Sequence, residues 1–383
     1  MTHTQDGPGL DWLALPERLE QSRLPMPDAT ADFLQVAQLA NLLTSLFWGT
    51  NDFYVSPEHR LAAAHGATDH LVARRADGAD AHGRIVGFAA LGAAPGPARL
   101  WVGVHPDFRR RGVGSALLAA AEAEAARRGA TGYESWTDNA LVDPAAVGSG
   151  PVFVRGTSLE TGLTPVLPPA GRETGPDAGP VRSGAPDAAF AAAHGYAPDR
   201  LEWCSVLDLR GAAGPALQAE SAAGLEGEYE VLGGEGDLPR EHAATLPDLG
   251  PGRRGLAVVA VDRRTGRAVG HAVIETTPDL PHVAYARGPV VAAGHRGRGL
   301  ELLLRAVVVS RLLRSRPGAE RLYAWRAAED EAARRDDEAL GLVPVATRAC
   351  WRKAVPGTAR GSGPAAGPGA RPAADLAPDG RGA

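Results

Sequence analysis

The stretch Val102–Ser115, V-G-V-H-P-D-F-R-R-R-G-V-G-S, restricts the fold more than any other segment. An apolar strand runs into Pro106, which cannot continue a strand ladder. Three arginines follow, and Gly112-Val113-Gly114 then opens an Ala/Leu-rich helix. The first N–H groups of a helix have no intrahelical partner and lie at the positive end of its dipole. With a glycine turn in front of them they form a cradle for a bulky dianion such as a pyrophosphate. Gly112 and Gly114 let the backbone approach closely, and Arg109, Arg110 and Arg111 can add charge-assisted contacts. A basic turn ahead of a surface helix is the plain alternative. Other phosphate loops fit less well. No G-x-x-x-x-G-K-[ST] is present, and Leu117 stands where a dinucleotide fingerprint has its third glycine.

A second, altered copy lies at Gly294–Glu301, G-H-R-G-R-G-L-E. Its surroundings repeat as well. R-I-V-G-F-A at Arg84 matches R-A-V-G-H-A at Arg267, and H-G-Y-A-P at His194 matches L-G-L-V-P at Leu340. Gly195 precedes Cys204 by 9 residues, as Gly341 precedes Cys350. Arg109 to Trp136 is 27 residues and Arg296 to Trp325 is 29. The chain therefore reads as an internal duplication.

The loop resembles that of the GNAT superfamily of acyl-CoA-dependent N-acetyltransferases, whose signature is R/Q-x-x-G-x-G/A after the fourth strand. Arg109, Gly112 and Gly114 occupy its three defined positions. The whole chain from about residue 10 to 353 resembles the tandem, actinobacterial-type members. The resemblance implies that the backbone amides of Arg110, Arg111, Gly112, Val113, Gly114 and Ser115 grip the pyrophosphate of acetyl-CoA. It also implies that the strand at Val102 and Val104 pairs with the pantetheine arm, and that Asn139 is the Asn common after the fifth strand. The implied fold is α/β: two tandem units, each a mixed, mainly antiparallel twisted sheet flanked by helices.

The expected organisation is an N-terminal domain over 10–210, a shorter C-terminal domain over 226–354 and a disordered tail over 355–383. An insertion at 143–186, rich in Gly, Pro, Ser and Thr, is expected to be disordered. It explains why Arg109 to Cys204 is 95 residues while Arg296 to Cys350 is 54. The first ten residues are expected to be loose. Phe33, Val36, Ala40, Leu43 and Phe47 predict a helix capped by Asp28, and Ser56-Pro57-Glu58 starts another. Single strands are predicted over 70–74, 84–90, 100–104, 133–137, 201–209, 256–261, 268–276, 282–291, 321–325 and 348–353. Helices are predicted from Gly112 to Arg128, over 187–193 and over 300–315. The second half lacks most of the helical segment that precedes the sheet in the first.

The formal net charge of -5 and pI near 6.1 argue against nucleic acid as the main partner. No apolar 18-residue run or leader is apparent, so no membrane contact and a cytoplasmic location are expected. Cys204 and Cys350, on equivalent strands, are expected to be buried free thiols, and the His spacing predicts no metal.

Amide formation needs a deprotonated amine, a polarised thioester carbonyl and a proton for the departing thiolate. Glu134 and Asp138, on or just after the fifth strand, are the candidate bases, with solvated or ion-paired carboxylates as the alternative. Trp48 and Asp52 fall where the family lines its acceptor pocket; a packed Trp and a turn Asp are the alternatives. His105 reads as a turn residue or a site residue. The family's acid, a Tyr in [FL]-Y-E-K-x-G-F, is replaced here by Ala191 and in the second half by Asp337. In the second loop Glu301 replaces the second Gly/Ala, and a carboxylate repels a pyrophosphate. That half is expected to have lost its cosubstrate and to cover the first half, complete its cleft or form a homodimer contact. The expected activity is acetyl transfer from acetyl-CoA to a primary amine of a small molecule. A non-catalytic acyl-CoA sensor or scaffold and a protein N-acetyltransferase are the alternatives.

Overall fold

The computed structural model describes residues 9–22, 26–75, 83–92, 96–140, 186–212, 214, 225, 227–234, 246, 249 and 252–355. The expected insertion at 143–186, except Pro186, and the tail beyond Val355 lie outside the described residues, as does most of the segment preceding the second sheet half.

The first half runs β1 (Gly9–Trp12), α1 (Asp28–Trp48), α2 (Pro57–Ala64), β2 (Thr68–Arg75), β3 (Arg84–Gly92), β4 (Pro97–Val104), α3 (Val113–Arg127), β5 (Gly132–Ala140), α4 (Pro186–Ala193) and β6 (Ala197–Asp208). The second runs β7 (Tyr229–Gly234), β8 (Arg254–Asp262), β9 (Arg267–Thr276), β10 (Val283–Ala286), β11 (Val290–Val291), α5 (Leu300–Ser315), β12 (Arg321–Ala327), α6 (Glu331–Ala339) and β13 (Val343–Ala354).

One sheet joins them, in the order β1-β2-β3-β4-β5-β13-β6-β12-β10-β9-β8-β7, with β11 on β9. Among the described strands only the pairs β4–β5 and β10–β12 are parallel. The connection expected between 210 and 226 divides the sequence but not the sheet, because the halves exchange their last strands. β13 pairs with β5 of the first half, β6 pairs with β12 of the second, and β6 and β13 pair with each other. Glu202 and Arg348, each two residues before its half's cysteine, are partners in register. Cys204 faces Ala346 and Cys350 faces Arg200, so a pseudo-twofold axis passes between Glu202 and Arg348. Trp136 faces Cys350 and Trp325 faces Cys204, as that symmetry requires. Both cysteines are free and buried.

Alternation along the strands sends side chains to two faces. On one face Leu117, Leu118 and Ala121 of α3 pack on Leu71, Ala89 and Leu100, while Leu300, Leu304 and Val308 of α5 pack on Val258, Ile274 and Leu322. Burying each such leucine contributes about 1.5–3 kcal/mol. On the other face Val36, Leu39 and Ala40 of α1 cover Val72, Ile85 and Phe88.

Four expectations are corrected. Gly9–Trp12 is a strand held by β2, and the Leu13 N–H donates to the His70 carbonyl. Asp28 does not cap α1: Pro27 precedes the helix, and Asp28 lies in the first turn, where a carboxylate suits the dipole. The strand expected over 282–291 breaks between β10 and β11, because Gly288-Pro289 interrupts the ladder. Helix α6 was not anticipated; Asp330 caps it by accepting from the Ala333 N–H. Ser56 caps α2 as expected.

The loop after α1 anchors the two halves. Trp48 and Phe53 enter an aromatic cluster with Tyr285, Tyr323 and Trp325 of the second half. Asp52 is 1% exposed. It accepts from Arg321 Nη2 at 2.8 Å, from the Tyr323 hydroxyl at 2.6 Å and from Thr50 at 2.9 Å. Its carbonyl accepts from the Tyr285 hydroxyl. Burial raises the Asp52 pKa, but the bonds and charge of Arg321, with Tyr323 and Thr50, outweigh this and leave it below the ordinary carboxylate value. Trp48 and Asp52 are thus joints between the halves rather than an acceptor lining.

Removing one partner of a buried pair strands the other, so Asp52→Ala is expected to cost about 3–5 kcal/mol in urea unfolding. Glu320 approaches the same Arg321 at 3.6 Å from an exposed position, and Glu320→Ala is expected to cost less than about 1 kcal/mol. Because the folded-state pKa of Asp52 is depressed, its contribution is complete at neutral pH. It is lost as the pH falls through the ordinary aspartate range and below. Equal costs for the two variants would show that the Asp52 pair is not the anchor.

Candidate active site

β4 and β5 pair only over Pro97–Arg99 and Gly132–Glu134. Beyond this they part, leaving one edge of Leu100–Val104 without a strand partner among the described residues. The His105 N–H donates to the Val86 carbonyl. In an antiparallel ladder such pairs alternate, so Gly103 and Trp101 also bond to β3, while Val102 and Val104 turn their backbone groups to the gap. The Val104 carbonyl is already taken by Arg109 Nε at 3.1 Å. At Gly103 a Cβ would lie 2.6 Å from the Phe88 ring and 2.7 Å from Leu43, so this glycine lets α1 close on the strand.

The loop follows directly. A 3₁₀ turn spans Pro106–Phe108, and His105 caps it by accepting from the Asp107 N–H at 3.3 Å. His105 is therefore the turn residue of its two readings. Arg110 has φ 62°, the only positive φ of a non-glycine among the described residues. Such a conformation costs about 1–3 kcal/mol and persists where surrounding structure enforces it. Gly112 follows with φ 80°. A Cβ there would meet nothing, so the left-handed turn and not crowding requires the glycine. At Gly114 a Cβ would lie 3.3 Å from Phe190, so this second glycine makes room for α4.

α3 begins at Val113 with no acid in its first turn. Among the described residues the N–H groups of Val113, Gly114 and Ser115 have no backbone acceptor; the ladder starts with Ala116 to Gly112. Arg109, Arg110 and Arg111 are exposed. Arg109 is the loop's brace rather than a free cation, and Arg111 lies over the Phe108 ring. The Ser115 hydroxyl is 3.0 Å from His194 Nε2, and His194 Nδ1 donates to the Phe190 carbonyl at 2.8 Å. The fit to a pyrophosphate and pantetheine rests on the open strand edge and the free N–H groups meeting at one corner.

Glu134, Trp136 and Asp138 project from β5 to the α1 side. Glu134, 4% exposed, accepts from Arg352 at 3.0 Å and from the Trp136 indole at 3.2 Å, and Arg200 lies 3.7 Å away. Burial raises its pKa, but Arg352 and Arg200 prevail and hold it below the ordinary value. Asp138 accepts from Arg348 Nε at 2.7 Å. Arg348, 5% exposed, lies 5.8 Å from the Trp136 ring and 5.6 Å from the Trp325 ring. Both candidate bases are thus committed to ion pairs. A carboxylate held low, as Glu134 is, is a poor acceptor of an amine proton, and the Asp138 carboxylate is already engaged by Arg348. Asn139 lies on β5 opposite Thr347. Ala191 is buried against α3, and Tyr133 and Tyr196 bond Glu122 on that same face. Among the described residues no group of His, Cys, Asp or Glu could hold a metal, and no described helix is long and apolar enough to cross a membrane.

The sequence reading missed Arg200, Arg348 and Arg352, which reach β5 only through the exchanged strands. It also missed Phe190 and His194, which clamp the loop. Their one signal was the segment Phe190–Tyr196, which aligns with the family's acid motif but lacks its Tyr.

The second half repeats the backbone and reverses the charge. Gly297 and Gly299 have φ 69° and 85°, and Arg296 Nε braces the Val291 carbonyl at 2.9 Å. Glu301, however, sits in the first turn of α5. Asp336 of α6, the counterpart of Phe190 by the Gly195–Gly341 alignment, adds a second carboxyl. Burial first, and then Glu301, Asp337 and Asp330, lift Asp336 above its ordinary value against the pull of Arg305. Arg298 of this loop is bound to Glu228 and Tyr229.

Residues 67–147 match the acetyltransferase (GNAT) domain family. A stretch of 93 residues is 37% identical to a mycothiol acetyltransferase of Parafrankia sp. (strain EAN1pec), and one of 65 is 49% identical to that of Mycolicibacterium gilvum (strain PYR-GCK). These cover 23% and 16% of this chain, and only 27% and 21% of the relatives' own length. Over 90% of this chain and 98% of the other, the fold matches a tandem GNAT protein from the clavulanic acid biosynthesis pathway, with a TM-score of 0.62 and 22% identity. The chain thus has the fold of a tandem GNAT protein, and within its first half residues 67–147 match the GNAT acetyltransferase domain.

Proposed function

We propose that the first half moves an acetyl group from acetyl-CoA to a primary amine of a small molecule, and that the second half completes its sheet without binding the cosubstrate. One observation carries this reading: the open edge of β4 and the unpartnered N–H groups of α3 meet at one corner. Acetyl-CoA would supply the activated thioester. Val102 and Val104 offer strand groups to an extended amide-bearing arm. The Val104 N–H can polarise a carbonyl laid against it, and the start of α3 takes the diphosphate charge. With Glu134 and Asp138 engaged, the amine enters as its own free base. The names of the two curated relatives support a small-molecule acceptor, whose identity belongs to the proposal.

For the second half, Glu301 and Asp336 place carboxyl groups where the first half has none, and Glu301 already satisfies the positive end of its helix. A non-catalytic acyl-CoA sensor is the second reading, favoured by Ala191 in the acid's position.

Calorimetry with acetyl-CoA is expected to give one site per chain, lost in Gly112→Val with the circular dichroism unchanged. Two sites would show the second loop to be live, and no binding would remove the reading. Binding without turnover across a panel of amines would select the sensor. Glu134→Gln is expected to retain the pH–rate profile and to lower the urea midpoint, since Arg352 and Arg200 lose the buried one of their two counter-charges and keep only Asp199. A loss of activity beyond about a hundredfold in a folded variant would make Glu134 the base after all.

A further inference from the structure

The contact between His194 and Ser115 assigns a job to a residue outside the GNAT signature. His194 ends α4, and its Nδ1 lies 2.8 Å from the Phe190 carbonyl. A carbonyl oxygen only accepts, so Nδ1 carries a hydrogen. The state of Nε2, 3.0 Å from Ser115 Oγ, then decides what the hydroxyl can do. With a neutral ring Nε2 accepts, and the hydroxyl hydrogen is spent on it. With a protonated ring Nε2–H donates to Oγ, and the hydroxyl hydrogen is free to point elsewhere.

Ser115 is the third residue of α3, beside the free N–H groups. A pyrophosphate there offers acceptors only. A hydroxyl already committed to Nε2 would meet it with lone pairs, whereas a hydroxyl that accepts from imidazolium can donate to it. We propose that His194 is a positioning residue of the loop, which takes up a proton as the pyrophosphate docks and so turns the Ser115 hydroxyl into a phosphate donor. The inference rests on the first half holding acetyl-CoA.

The surroundings permit this. The Phe190 ring lies 4.2 Å from the imidazole and brings no charge, and α3 has no acid in its first turn. Among the described residues the charged groups of this corner are Asp107, Arg109, Arg110 and Arg111 of the loop, Asp187 at the far end of α4, which interacts with Arg109, Lys353 from β13 and Glu122 from α3. Lys353 comes close to Gly195 but is paired with Glu122 at 2.6 Å. In the second half Leu340 takes the place of His194 by the same alignment, so the device is confined to the first loop.

The test is titration of the full chain with acetyl-CoA in pairs of buffers of different ionisation heat, between about pH 5.5 and 8.5, where imidazole changes charge. The wild type is expected to take up a fraction of a proton that approaches one on the alkaline side, with Kd weakening there by up to about tenfold per pH unit. His194→Gln, whose amide can still donate to Ser115, is expected to bind without that uptake and with a flatter pH dependence. Ser115→Ala, which keeps the imidazole, is expected to bind several-fold more weakly with reduced uptake. Proton exchange by the ligand itself persists in every variant and is subtracted. Uptake that is unchanged in both variants, or wild-type binding with none, would overturn the proposal while leaving acetyl-CoA binding intact. Absence of wild-type binding would instead overturn the reading beneath it.

Discussion

The pairing of Glu202 with Arg348 across β6 and β13 is the constraint on which the rest depends. Because these positions are equivalent in the two halves, their pairing makes the chain pseudo-symmetric about one point. Each half then gives its last strand to the other. Arg348 sits at that point, between the two equivalent tryptophans and bonded to Asp138. Such a cation is stable at this depth because its charge is paired and it lies over aromatic faces. The joint between the halves and the floor of the candidate site are therefore the same group of residues.

The two loops separate shape from charge. Both hold a left-handed residue before the helix, and both are braced by an arginine on the last strand carbonyl. Glycine at 297 makes the second turn easier to form than Arg110 makes the first. Yet only the first loop keeps its helix start free of acids. The signature's second glycine also has a structural cause here, since Phe190 of α4 fills the space above Gly114. Where Asp336 replaces Phe190, that demand lapses, and Glu301 is tolerated in the same backbone.

What was legible in the sequence was local. The period of Phe33, Val36 and Ala40, the Ser56 cap, the glycine turn at 112 and the duplicated spacings are each written within a few residues of the structure they cause. Both halves' loops and most strands could be placed for that reason. The strand exchange could not. Alternation in β6 and β13 marks two half-buried strands, but antiparallel partners of either parentage satisfy the same pattern. Once the exchange is unknown, the partners of Glu134 and Asp138 are unknown too, and isolated carboxylates on a strand look like bases. β1 was missed because four residues carry too little pattern, and α6 because its polar sequence shows little apolar period.

The exchange also explains why a half with an acid-lined loop would be kept. A chain ending near residue 210 would leave β5 without β13, exposing a strand edge beside the candidate gap, and such edges invite pairing with other chains. It would also release Asp138 from Arg348 and Glu134 from Arg352, leaving Glu134 with Arg200 as its one remaining partner cation among those described above. It would uncover Trp48 and Phe53, and with them Asp52, whose counter-charge Arg321 belongs to the other half. The first half is therefore not a self-sufficient unit to which a second was appended. Whatever chemistry takes place in the gap between β4 and β5, the electrostatics of its floor are written in the last twelve described strand residues of the other half.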